Sequence, residues 1–178
     1  MGDKEAHKQA YKQGHKQGHK HGKMAAMTAR ATPLPRSHYL AFETLTTRWM
    51  DNDVYGHVNN VVYYSFFDTA VNRYLIHAGV LDIHQGGVIG LVVETQCHYF
   101  TPLQFPQVIE AGLRVAHVGR SSVRYEVGLF AAQEPFTAAA GHFVHVYVDR
   151  QSRRPMPLPQ PLVHALTRLQ AHSSSSSL

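Results

Sequence analysis

The chain has 178 residues, enough for one domain with a substantial core. Its formal net charge of +5 is unevenly placed: residues 1–36 hold six Lys, two Arg and two acids, whereas residues 37–178 hold nine Arg and ten acids. The body is therefore close to neutral and lacks the basic stripe that nucleic acid requires. Cys97 is the single cysteine, which excludes an intrachain disulfide. No apolar run reaches the ~18 residues of a membrane span, and no apolar segment follows the basic N-terminus as in a secretory signal. A cytoplasmic protein with neither nucleic-acid nor membrane partners is expected.

Residues 1–36 read as a flexible His/Lys-rich tail and linker. All six lysines lie at or before Lys23, which sets the tail apart from the body in origin. The tail repeats with a period of four, and on a helix His15 and His19 would share a face suited to a divalent metal. The interspersed glycines oppose that helix. Pro33 and Pro35 mark the entry to a domain over residues 37–170.

Residues 39–49 alternate as a strand, with Phe42, Thr44, Thr46 and Arg48 on one side and Ala41, Leu45 and Trp49 among the others. A polar loop over residues 51–60 follows: Asp51-Asn52-Asp53-Val54-Tyr55-Gly56-His57-Val58-Asn59-Asn60. Residues 60–78 then predict a helix. Tyr63, Phe66, Phe67, Ala70, Val71 and Tyr74 form its apolar face, and Ser65, Asp68, Thr69, Asn72 and Arg73 a narrower polar stripe. Asn59 or Asn60 caps its start and Gly79 ends it.

Beyond Gly86-Gly87 the pattern changes to strands over 88–100, 108–118, 122–132 and 137–149, spaced as antiparallel hairpins. Cys97 sits in the first of these as a packed thiol. His142 and His145, three apart in the last, face opposite sides and do not share a metal. Pro155, Pro157, Pro159 and Pro161 form a stiff exit, residues 163–170 a short helix, and residues 171–178 a flexible serine-rich end. One long apolar helix among these strands predicts an α+β domain in which a curved antiparallel sheet wraps the helix. Apolar residues on the sheet's other face and edges predict burial against a second copy.

The loop carries the chemistry. First-turn amides of a helix are unsatisfied and bear partial positive charge, so they hold a developing anion. A carboxylate beside them can activate water or attack directly. Asp51 reads as a turn former or cap, Gly56 as a residue allowing a positive φ or close substrate approach, and His57 either as a site residue or as a loop hydrogen-bonder. There is no Gly-x-Ser-x-Gly elbow, no phosphate-cradling Gly-rich loop and no His-Glu-x-x-His.

Asp53-x-x-Gly56-His57-Val58-Asn59-Asn60-x-x-Tyr63, with Phe66-Phe67-Asp68 and Arg73-Tyr74, resembles the hotdog-fold acyl-CoA thioesterases of the 4-hydroxybenzoyl-CoA thioesterase type. Tyr99-x-x-Pro102, Gly119-Arg120-Ser121-Ser122 and Arg153-Arg154-Pro155-Met156-Pro157-Leu158-Pro159 extend the resemblance over residues 38–168. Pro106-Gln107 departs from the Gly-Asp turn of many relatives. The resemblance implies a hotdog fold and hydrolysis of an acyl-CoA to free acid and coenzyme A. It implies no cofactor or metal, and a homodimer or homotetramer. Asp53 is implied as general base or nucleophile, the backbone near Asn59 or Asn60 as oxyanion site, and His57 as a positioning group. Arg120, Ser121 and Ser122 sit where relatives approach the coenzyme A phosphates; Gly56 is the point of close substrate approach, and Tyr63 reads either as core or as a residue lining the acyl pocket. Hydrolysis of acyl groups on acyl carrier protein, and non-catalytic acyl-CoA binding, stand as alternatives.

Overall fold

The computed structural model describes residues 30–170; the rest of the tail and the serine-rich end lie outside the described residues. Five strands form one antiparallel sheet: β1 (Ala41–Thr46), β2 (Val88–Tyr99), β3 (Val108–Val118), β4 (Ser122–Ala131) and β5 (Ala139–Asp149), in the order β1-β3-β4-β5-β2. The long helix α1 (Asn60–His77) lies between β1 and β2 in the chain and packs across the sheet's inner face. Its buried residues are Tyr63, Phe66, Phe67, Ala70, Val71 and Leu75, with Phe67 meeting Phe143 of β5 edge-on at 5.8 Å between ring centroids. This is the expected wrapped-sheet α+β architecture. Tyr74, placed on the apolar face by periodicity, is half-buried and donates its hydroxyl to the Ala165 carbonyl at 3.0 Å.

Asn59 caps α1 by accepting from the Val61 N–H at 3.2 Å. Gly79, at φ +69°, turns the chain out of the helix in the left-handed region that a side chain strains. The first strand is shorter than its alternation predicts, because the chain leaves it in a 3₁₀ turn at Trp49–Asp51. Trp49, expected on a strand face, is therefore 82% exposed. The Asp51 carboxylate draws in both the Arg48 N–H (2.6 Å) and the Arg48 guanidinium (2.8 Å), and these bonds outcompete the ladder.

The C-terminal helix α2 (Gln160–Thr167) starts three residues earlier than periodicity predicts, with Pro161 inside its first turn. A first-turn proline loses no helical hydrogen bond, and its fixed φ suits the position. Residues 34–36, read from sequence as linker, pair with the β4–β5 connection: Leu34 N–H reaches the Thr137 hydroxyl at 2.9 Å, and Thr137 N–H reaches the Leu34 carbonyl at 3.0 Å. Just beyond, the Tyr39 ring lies over Gly112 and Gly128, a directly paired couple on β3 and β4. A Cβ at either would strike that ring. β2 is an edge strand, and its residues 91–96 are exposed in the single chain.

His142 and His145 face opposite sides, as their spacing predicts. His142 is within 2.8 Å of Glu94 and 3.0 Å of Arg124 on the outer face. His145 packs among Tyr125, Phe143 and Tyr147 on the inner face. No group of three or more His, Cys, Asp or Glu side chains able to hold a metal occurs among the described residues. Nor is any described helix long and apolar enough to cross a membrane.

Candidate active site

The loop between the 3₁₀ turn and α1 is pinned at both ends. Asn52 and Val58 form a bridge, Asp53 N–H donates to the His57 carbonyl at 2.8 Å, and Gly56 N–H to the Asp53 carbonyl at 3.1 Å. Gly56, at φ +81°, makes the reversal. Val58 N–H donates to the Leu103 carbonyl at 2.7 Å, and Phe105 N–H to the Asn52 side chain at 3.0 Å, which ties the loop to the segment after β2.

Within this frame one carboxylate oxygen of Asp53, Oδ1, accepts from Tyr55 N–H at 2.8 Å and from His57 N–H at 3.4 Å. Among the described residues, no hydrogen bond occupies Oδ2. A carboxylate held on one oxygen and open on the other keeps a fixed orientation and an available base. Asp51 is different in kind. It is 1% exposed, committed to Arg48, and its carbonyl accepts the Asn59 N–H at 2.8 Å.

That last bond divides the two asparagines. The Asn59 amide is occupied, and the Asn59 side chain caps Val61. Val62 N–H already donates to the Asn59 carbonyl at 2.9 Å. The amide of Asn60, the first helical residue, has no acceptor among the described residues. It is the donor left free for a ligand.

Asp53, His57, Val58, Asn60, Tyr63, Tyr99, Phe100, Thr101 and Pro102 line one cavity of about 440 Å³. Tyr63 is buried and accepts from Leu103 N–H at 3.3 Å; burial raises its phenol above the ordinary 10.0, so it stays neutral. Val58, inside the loop motif, escapes the sequence reading as a site residue, as do Tyr99, Phe100, Thr101 and Pro102. The Tyr99-x-x-Pro102 pattern was the signal for the last four. Cys97 is pushed up to about 11 by burial, which leaves it a thiol at neutral pH and a poor nucleophile.

The structure brings Asp53, His57, Asn60 and Tyr63 together around this cavity; Gly56 and Asn59 belong to the same loop but are not among the residues that line it. It does not bring Arg120, Ser121 or Ser122 there within one chain. Ser122 pairs with Val146 of β5, whereas Tyr99, on the cavity, pairs with Ala139. Seven residues of β5 separate these points, about 24 Å of strand.

An antiparallel sheet curved around one long helix is the hotdog fold. The chain belongs to the thioesterase-like superfamily, whose family model matches residues 47–166, and it is a thioester hydrolase. Among solved structures it is similar to the PA5185 protein of Pseudomonas aeruginosa strain PAO1, with 57% identity, a TM-score of 0.78, and coverage of 79% of this chain and 99% of that one. It is also similar to the PA2801 protein of Pseudomonas aeruginosa, described as a candidate thioesterase, at 27% identity and TM-score 0.66, covering 72% and 98%. A 1,4-dihydroxy-2-naphthoyl-CoA thioesterase from Synechocystis shares the fold at 18% identity and TM-score 0.65, covering 71% and 94%. The chain matches no curated protein.

Proposed function

We propose that the chain hydrolyses an acyl-CoA, releasing the free acid and coenzyme A, with Asp53 as the reacting carboxylate. The observation that carries this is the shared cavity of Asp53 and the unpartnered Asn60 amide at the start of α1. Oδ2 of Asp53 takes the proton of a water whose oxygen adds to the thioester carbon, or it attacks that carbon itself to give a mixed anhydride that water then opens. The carbonyl oxygen becomes an oxyanion held by the Asn60 N–H and the helix dipole. Collapse breaks the carbon–sulfur bond. The thiolate leaves without a strong general acid, and the net reaction adds one water. His57, exposed on the cavity rim, positions water or substrate. The scheme needs no metal or cofactor.

The working unit in this reading is a homodimer, which could pair further into a homotetramer, formed through β2. That strand is a twelve-residue edge with Leu91, Val92 and Val93 exposed. Two-fold edge pairing is antiparallel, so it sets the Val88 end of one copy beside the Tyr99 end of the other. The Arg120-Ser121-Ser122 turn lies at the Val88 end, and pairing carries it toward the partner's cavity, where its cation and hydroxyls suit the phosphates of coenzyme A. A cytoplasmic setting, where thiols stay reduced, suits the free Cys97.

Free-thiol release from acyl-CoAs of graded chain length, alongside the same acyl groups on acyl carrier protein, tests the function. Turnover of the CoA series supports the reading. Turnover confined to the carrier-protein series moves the substrate class, and tight acyl-CoA binding without thiol release makes the protein a binding module.

A further inference from the structure

Tyr99 stands apart among the cavity residues. It ends β2, is 46% exposed, and yet makes a directed contact: its hydroxyl donates to the Asn60 carbonyl at 3.2 Å. That carbonyl belongs to the first residue of α1, where the helix ladder already supplies an acceptor's partner from the next turn. The extra bond is therefore not needed to satisfy a buried group. Its effect is to hold the residue whose own N–H is free. On the upstream side the Asn59 N–H is held by the Asp51 carbonyl at 2.8 Å. The peptide joining Asn59 to Asn60 is thus clamped on both flanks, by the 3₁₀ turn behind it and by β2 in front. The Tyr99 ring is itself steadied edge-on against Tyr63 at 5.0 Å, and Tyr63 is anchored on Leu103.

We propose that Tyr99 is a positioning residue for thioester hydrolysis: its hydroxyl aims the Asn60 amide at the substrate oxygen, and its ring walls the acyl end of the same cavity. The inference rests on the acyl-CoA hydrolysis reading above and assigns the two parts of one side chain to separate kinetic constants. The hydroxyl acts through Asn60 on a charge that exists only in the transition state, so it belongs to kcat. The ring touches the ground-state substrate, so it belongs to KM and to chain-length preference.

The test compares wild type, Tyr99→Phe, Tyr99→Ala and Asp53→Asn on the acyl-CoA that wild type hydrolyses best. Loss of one neutral hydrogen bond to a positioning carbonyl predicts a five- to tenfold fall in kcat for Tyr99→Phe. Its KM, its chain-length profile and its affinity for the matching non-hydrolysable thioether analogue, which has no carbonyl, should stay within twofold of wild type. A merely structural tyrosine would weaken analogue binding along with kcat. Tyr99→Ala should add a shift of the preferred acyl group toward greater bulk. If wild type turns over, Asp53→Asn is dead and Tyr99→Phe keeps full kcat, the positioning role is overturned and the parent reading stands. If wild type releases no thiol, both fall together.

Discussion

Replacing Asp51 should cost stability, whereas replacing its neighbour Asp53 should not. The Asp51 carboxylate is 1% exposed and accepts the Arg48 backbone N–H at 2.6 Å, closing the 3₁₀ turn. A charge-assisted hydrogen bond at a buried carboxylate contributes about 1.5–3 kcal/mol, and the Arg48 amide, on an exposed residue, can turn to water when the carboxylate is removed. The guanidinium half of the contact faces solvent and adds little. Asp51→Ala should therefore destabilise the domain by about 1.5–3 kcal/mol, lowering the melting temperature by about 4–12 °C for a chain of this size. Asp51→Asn keeps an acceptor for the backbone amide but turns a donor toward the guanidinium, so it should fall between Ala and wild type. Turnover should decline in step, because the same turn presents the carbonyl that holds Asn59. Thermal melts of the three proteins give the answer, and an Asp51→Ala melt within about 1 °C of wild type would refute the assignment of Asp51 as the structural acid.

Gly128→Ala should force the Tyr39 ring off the sheet at a cost of about 1–3 kcal/mol, measured by urea unfolding, and most of that cost should vanish in a Tyr39→Ala background. His145 has its pKa lowered from 6.5 chiefly by burial, with Asp68 opposing, and its Nε2 is buried with no partner among the described residues. The unfolded chain therefore takes up this proton first, so stability is lost as pH falls through 6.5 toward the lower folded value. His145→Phe should flatten the difference in urea midpoint between pH 7.5 and pH 5.5 relative to wild type, and an unchanged difference would remove His145 as its source.

What was legible in the sequence were the features that local physics decides. The 3.6-residue period fixed α1 to within one residue, because Asn59 caps it and Gly79 supplies the positive φ that ends it. The four long strands followed from alternation and from the breaks at Pro102 and the Gly119 turn. Trp49 escaped because a single buried carboxylate two residues on overrides strand propensity, and burial of Asp51 is a tertiary fact. The start of α2 escaped because Pro161 reads as a helix breaker unless its place in the first turn is known. At the site, Asp53 and the helix start were legible as a local loop motif that resembles a family. The choice of Asn60 over Asn59 was not, since it depends on where the Asp51 carbonyl points. Tyr99 and Thr101-Pro102 reach the cavity only through the pairing of β2 with β5, and strand register likewise sets the Arg120 turn at the far end of the sheet.

The central claim is that Asp53 acts chemically and not as a loop former. Asp53→Asn retains an oxygen to accept the Tyr55 N–H, so the loop, the melting temperature and acyl-CoA binding should all survive. The direct measurement is single-substrate thiol release by this variant against wild type. The account predicts a loss of at least a hundredfold in kcat with an unchanged melt; turnover within a few-fold of wild type would contradict it.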